Sequence, residues 1–298
     1  MKRGVLYAIT AYVLWGLLPV YWKWLQHIPA FEVLCHRIVW SFFMLGLAIA
    51  LTGRWKRLRR DLFSARVLCV YVAAGILIAA NWLTYIWAVG AGFILETSLG
   101  YFINPLLSVL MGVVVLHERL RSVQWAAMAL AAAGVCYLWI THGSMPWIAL
   151  ILAISFSLYG LTKKIAPLGS LQGLTVETAV LLLPALAFLA YSGQAGRDAS
   201  LHTGFVTSIL LVGTGLITMV PMLLFSSAAR RVDLSLLGIM QYIAPSMQFI
   251  LGLFVYHEPF TRERLIGFVI VWSALAVYAA EGYVSRRSRA VPIMSNRV

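Results

Sequence analysis

Gly100–Tyr101–Phe102–Ile103–Asn104–Pro105 in the first half of the chain aligns with Met240–Gln241–Tyr242–Ile243–Ala244–Pro245 in the second, at an offset of 140 residues. The same offset carries Gly75 onto Gly215, Ala88 onto Ala228, Gly112 onto Gly252, and His117–Glu118 onto His257–Glu258. Nearer the start, Leu14–Trp15–Gly16–Leu17 matches Leu158–Tyr159–Gly160–Leu161 at an offset of 144. A near-constant offset across several apolar runs and their loops marks an internal repeat.

The runs that carry these motifs are too apolar for a soluble repeat. The 298 residues are 62% hydrophobic and 11% charged, against about half and about a quarter in an average soluble domain. So few charges could not cover a water-exposed surface, which leaves lipid as the solvent. A helix needs about 20 residues to cross the hydrocarbon. Ten runs qualify: 4–25, 32–52, 67–89, 95–116, 122–141, 146–165, 173–192, 206–228, 234–256 and 263–283. The expected fold is an all-α membrane protein of ten transmembrane helices. The repeats fall at 4–141 and 146–283, followed by a basic tail over 284–298. Five is an odd number, so the second copy enters the membrane from the opposite side and the repeats are inverted.

Charge placement orients the chain. The net charge is +13, but its basic residues cluster in short stretches between apolar runs, as in Arg54–Trp55–Lys56–Arg57–Leu58–Arg59–Arg60. That is the pattern of cytoplasmic loops, and no segment offers the basic face on a soluble fold that nucleic-acid binding would need. With the N-terminus inside, 18 of the 23 Lys and Arg residues fall in cytoplasmic segments and only Arg197, Arg262 and Arg264 in outer loops. Both termini are therefore expected on the cytoplasmic side of a bacterial inner membrane. Met1–Lys2–Arg3 precedes a run of spanning length without a cleavage pattern, so it reads as a first span. Cys35, Cys69 and Cys136 all lie inside apolar runs and read as small hydrophobes.

Inverted repeats related by an axis in the membrane plane let two halves rock about a site between them, which is a transporter design. The expected function is secondary-active transport of a small metabolite or drug-like solute by alternating access. The alternatives are a membrane-embedded enzyme, a channel, or a sensor without transport activity. No HExxH, GxSxG, P-loop lysine motif or metal-spaced Cys/His cluster supports an enzyme, and no cofactor is expected. No filter loop or ring of repeated charge suggests a channel. The partners expected are the solute and the lipid bilayer. Self-association is a further option, through the small-residue helix holding Ala126, Ala127, Ala129, Ala131–Ala133 and Gly134.

The motifs also carry a resemblance. Trp15–Gly16 with Pro19, Tyr21 and Lys23, then His36–Arg37 before Trp40–Ser41, resemble the first half of a RarD-type permease. Asn81–Trp82, Trp87–Ala88–Val89 and Ser98–Leu99 leading into Gly100–Pro105 continue it. So do Tyr159–Gly160–Leu161, Lys163–Lys164, Glu177–Thr178 and Gln241–Tyr242–Ile243 with Pro245. RarD-type permeases belong to the EamA branch of the drug/metabolite transporter superfamily, so the resemblance implies a ten-helix carrier of two EamA-type repeats around a central cavity. The chain departs from the pattern at His117 and His257, where the family usually has a small residue, often Gly, before the Glu.

Ionisable and polar groups inside spans are expensive, which makes them the candidates for function. His36 and Arg37 sit in the outer half of the second span, with Trp40 one turn beyond His36. The competing reading for Arg37 is a side chain snorkelling to the interface. Tyr101, Asn104 and Ser108 share one face of the fourth span, and the repeat maps them onto Gln241, Ala244 and Gln248 on the ninth, where Tyr242 is a further candidate. Asn81, Trp82 and Tyr85 on the third span, with Trp15 and Tyr159 on the first and sixth, would complete an aromatic-walled site. Trp22, Trp24 and Trp55 read instead as interfacial anchors. Lys23 and Glu32 flank the outer mouth and Lys163 and Glu177 the inner one, as candidate gating or coupling pairs. Glu118 and Glu258 are expected to serve the amides at the starts of the fifth and tenth spans.

Overall fold

The fold is that of a computed structural model, which describes residues 2–62, 64–90, 94–142, 147–194, 204–255 and 262–290. Every regular element among them is helical. In chain order they are α1 Lys2–Trp24, α2 Ala30–Leu51, α3 Trp55–Leu62, α4 Ala65–Gly90, α5 Ile94–Val114, α6 Ser122–His142, α7 Trp147–Ile165 and α8 Ser170–Gln194. α9 Phe205–Ala229, α10 Leu234–Met240, α11 Ile243–Ile250, a π-helical stretch Leu251–Val255 and α12 Arg262–Ala290 follow. Among the described residues, seven helices are long and apolar enough to cross a membrane; Gly100–Val114 and Leu265–Tyr278 are shorter apolar helices.

Eight of the ten expected runs coincide with single helices to within three residues, and the run at 263–283 lies inside the longer α12, whose last seven residues enter the expected basic tail. The run at 234–256 is split into α10, α11 and the π stretch. Pro245 has no amide hydrogen and cannot donate to the Gln241 carbonyl four residues back. The Ala244 amide takes that carbonyl instead at 3.2 Å, tightening the turn at Gln241–Tyr242. The short α3 is an addition to the expected spans. Its Leu58 is buried against Ile49, Tyr71, Ala166 and Leu168, while Trp55 stays exposed.

The helices interleave across the midpoint of the chain. α1 packs on α9 and α11, and α7 packs on α4 and α5; α2 lies against α8, and α6 against α12. The main core accordingly draws on both halves, with Tyr12, Leu45 and Ile78 meeting Tyr159, Phe225 and Leu237. One close crossing is at Gly238 of α10, where a Cβ would lie 2.9 Å from both the Pro105 carbonyl oxygen and Ser108 Cβ of α5. Part of the small-residue helix α6 packs within the chain, since a Cβ on Gly134 would meet Val271 and Ile270 of α12 at 3.0 and 3.1 Å, while Ala126, Ala129 and Ala133 stay exposed.

His117, where the resembled family favours Gly, has φ 54, in the left-handed region that a side chain opposes. The turn it makes lets Glu118 fold back, its amide donating to the Gly112 carbonyl at 3.0 Å. The Glu118 carboxylate then accepts the Leu234 and Ser235 amides at 2.6 and 2.8 Å and the Ser235 hydroxyl at 2.6 Å. Glu118 therefore serves the start of α10 and not, as its sequence position suggested, the start of α6; the positive φ turns it across the bundle. His257 and Glu258 lie outside the described residues.

Candidate functional site

α1, α2, α4, α5, α7, α9 and the α10–α11 junction enclose a cavity of about 120 Å³. Its wall includes Trp15, Arg37, Asn81, Trp82, Tyr85, Tyr101, Asn104, Gln241 and Gln248, nine of the thirteen residues proposed from sequence for contact with a solute. Helical spacing brings them together: Asn81 and Tyr85 lie one turn apart on α4, as do Tyr101 and Asn104 on α5. Tyr85 and Tyr101 meet edge to face across the two helices, 5.9 Å between ring centres.

The two asparagines also bind helices to one another. Asn81 Nδ2 donates to the Leu152 carbonyl at 2.9 Å and to Ser155 Oγ at 3.0 Å, tying α4 to α7. The Ser157 hydroxyl donates to Asn104 Oδ1 at 2.9 Å, tying α7 to α5. Buried amides need such partners, so part of the polar wall holds the cavity in shape.

The other four candidates stand off the wall. Trp40 packs its backbone and Cβ on Gly215 of α9, with its ring 6.2 Å from that of Phe43. His36 neighbours Arg37 in sequence but points elsewhere, because successive helical residues face about 100° apart. Tyr242 is buried behind α5, donating to the Phe102 carbonyl at 3.1 Å. Tyr159 lies beneath the cavity, fully buried, donating to Glu177 Oε2 at 2.9 Å.

Arg37 is held on three sides. Its Nε donates to the Thr218 hydroxyl at 3.0 Å, and its guanidinium carbon lies 4.9 Å from the Trp22 ring centre and 4.7 Å from that of Trp82. A planar guanidinium is suited to such stacking on indole faces. Arg37 thus does not snorkel, and Trp22 is not simply an anchor: it lines the cavity and covers Arg37. The sequence signal for Trp22 was its place seven residues after Trp15, two turns along the same face. Trp24 and Trp55, by contrast, are exposed.

The cavity adjoins a vestibule at one end. A space of about 610 Å³ beside the α1–α2 connection is lined by residues such as Gln26, His27, Pro29 and Val33, and shares Trp22, Arg37 and Tyr85 with the cavity. Lys23, exposed, ends α1 at this end of the bundle, and Glu32, buried, begins α2. Towards the opposite end the floor is aromatic. Phe156 and Trp15 meet at 5.8 Å, and Phe225 lies 5.5 Å from Trp15 and stacks on Tyr159 at 6.1 Å. Below it Lys163 Nζ pairs with Glu177 Oε1 at 2.7 Å, both side chains buried, and Lys163 faces the rings of Tyr71 and Tyr159. Further bonds close that end: Arg230 donates to the Ala166 carbonyl at 2.8 Å and also to the Leu168 carbonyl, and Lys164 to the Val232 carbonyl.

This arrangement has relatives. A model of the EamA-like transporter family matches the chain twice, over residues 2–140 and 144–279. The chain belongs to the EamA-like transporter family. It is similar to the protein RarD of Streptomyces exfoliatus, 45% identical over 97% of this chain and 92% of that one. It is also similar to the uncharacterized transporter YojE of Bacillus subtilis, 44% identical over 93% of each. These relatives make it a RarD-type member of the family and a multi-pass membrane transporter. A solved crystal structure 19% identical in sequence superposes with a TM-score of 0.67, covering 93% of this chain and 96% of the other, and shares the EamA-family member's fold.

Proposed function

We propose that the protein is a secondary-active carrier that moves a small solute by alternating access between two inverted five-helix repeats, 4–141 and 146–283. One observation carries this reading: a central cavity open to a vestibule at one end and sealed at the other by the buried Lys163–Glu177 pair. Support for the repeat comes from the double family match and from the crosswise packing of α1 on α9 and α11, and of α7 on α4 and α5. In ten-span terms α10 and α11 together form the ninth crossing.

The distribution of Lys and Arg supports a bacterial inner-membrane orientation with both termini cytoplasmic. The vestibule then faces outward and the Lys163–Glu177 pair closes the cytoplasmic mouth. With no nucleotide-binding motif in the sequence, uphill movement would draw on an ion gradient or on exchange. The wall residues would contact the solute, with Lys163 and Glu177 as the inner gate and Lys23 and Glu32 at the outer mouth.

The test is transport itself. Purified protein is reconstituted into liposomes loaded with a bacterial metabolite extract, and protein-dependent efflux is followed by mass spectrometry with and without a pH gradient. Release of a defined solute only from protein-containing liposomes is the expected result. Retention of every solute by correctly folded protein would sink the carrier reading.

A further inference from the structure

Arg37 is the single charged side chain among the described residues that line the cavity. Among those described residues no carboxylate pairs with it; its partners are the Thr218 hydroxyl and two indole faces. A guanidinium carries five N–H donors, and only the Nε–H reaches a protein acceptor among the described residues. Ring faces and one hydroxyl recover only part of what the cation loses on leaving bulk water.

The repeat frames the same position from the other side. Arg37 is the eighth residue of α2 and Glu177 the eighth of α8, at the 140-residue offset. At Glu177 a buried anion has its counter-ion in Lys163 at 2.7 Å. At Arg37 the charge is reversed, and a counter-ion is lacking among the described residues.

We propose that the solute supplies it: the carrier takes a small, flat carboxylate whose oxyanion docks on Arg37 and whose apolar body lies against Trp15, Leu152 and Phe156. The proposal rests on the carrier reading for the word solute, and on the cavity alone for the chemistry. Size limits the body. The cavity is about 120 Å³, close to the roughly 150 Å³ apolar cavity that holds benzene in an engineered protein. Charge limits the rest: with no acidic side chain among the described wall residues, an ammonium group would meet Arg37 unscreened. The favoured class is thus a monoanion without a compensating amine. A bidentate carboxylate would satisfy the free edge of the guanidinium and neutralise the vestibule end, as Glu177 neutralises Lys163 at the other.

Benzoate, benzamide and benzylamine share one ring size and differ in charge. Their binding to the full-length protein in lipid nanodiscs can be read by tryptophan fluorescence, since three indoles line the cavity, and by thermal shift. Benzoate is expected to bind at least about tenfold tighter than benzamide, with benzylamine weakest. Arg37→Gln should lower benzoate affinity roughly 10- to 100-fold and abolish the preference, while Arg37→Lys keeps the preference in weaker form. Equal or tighter binding of benzamide or benzylamine, saturable binding of none of the three, or an unchanged preference in folded R37Q would each overturn the proposal. The wild-type comparison decides even if R37Q does not fold. Transport separates this proposal from the carrier reading. Benzoate bound by protein that moves neither benzoate nor any solute of the metabolite extract in proteoliposomes leaves the site standing and removes the carrier; benzylamine carried in its place does the reverse.

Discussion

Gln248 on α11 donates its Nε2 to the carbonyl oxygen of Trp15 on α1 at 3.2 Å, and that carbonyl is the one Pro19 leaves without a helical donor. A proline in one half of the chain thus opens a backbone acceptor, and a glutamine 233 residues away closes it. Both residues line the cavity, so the bond joins the two halves at the candidate site.

This geometry sets a coupling between the two positions. Gln248→Leu should cost about 1–2 kcal/mol of stability, because a part-buried carbonyl loses its donor. In a Pro19→Ala background the restored amide can serve the Trp15 carbonyl, and the same Gln248 substitution should cost less. A double-mutant cycle followed by thermal unfolding in detergent measures the difference; equal costs in the two backgrounds would refute the arrangement.

Lys163 and Glu177 invite a second cycle. Removing one partner of a buried pair strands the other charge, so Lys163→Met or Glu177→Gln alone should destabilise by about 3 kcal/mol or more. Replacing both with Met and Leu should cost clearly less than either single change, since no lone charge remains. Transport should still be impaired in the double variant if the pair serves as the inner gate. The reversed pair, K163E with E177K, should recover part of the activity lost in the single reversals.

The strained turn at His117 predicts a stabilising change. With φ at 54, His117→Gly should raise stability by about 1 kcal/mol, offsetting backbone freedom against relief of the left-handed conformation. Unfolding midpoints of the two proteins would decide it, and a lower midpoint for the glycine variant would contradict the turn as described.

Two glycines should respond in opposite senses. Gly238→Ala must push α10 away from the Pro105 carbonyl and should cost about 1–3 kcal/mol. Gly46 lies inside α2 with nothing within 4 Å of an added Cβ, so Gly46→Ala should stabilise by about 0.5–1 kcal/mol. Parallel thermal denaturation of both variants checks the contrast.

Removing the Glu118 carboxylate should loosen α10 without touching the cavity wall. Glu118→Ala strips acceptors from the Leu234 and Ser235 amides and should cost about 1–3 kcal/mol. Hydrogen exchange at those two amides, measured by mass spectrometry, should rise ahead of exchange in α9. Unchanged protection there would count against the cap.

Much of the fold was legible in the chain because its signals are local and lipid enforces them. A run of about 20 apolar residues has few alternatives to a helix in hydrocarbon, and the matched runs at the offset of 140 located the paired motifs. The cavity residues that sequence identified, such as Arg37, Asn81 and Tyr101, stood out because a polar group in an apolar run is conspicuous. Trp22 and Thr218 were less visible. A tryptophan near a helix end looks like an anchor, and a threonine inside a span routinely bonds its own helix, as Thr218 does to the Thr214 carbonyl at 2.7 Å.

The sequence by itself determined that the chain is helical and membrane-embedded, where most helices begin and end, and which few polar groups had to justify their place in lipid. Those outcomes follow from hydropathy, backbone hydrogen bonding and proline chemistry, all of which act within a few residues. Only the tertiary structure decided which way each polar group faces: Arg37 between two indoles, Asn81 and Asn104 tied to α7, Glu118 carried across to α10. Helix rotation and crossing are set by close contacts between distant segments, such as Gly238 on Pro105, and no local pattern records which segments those will be.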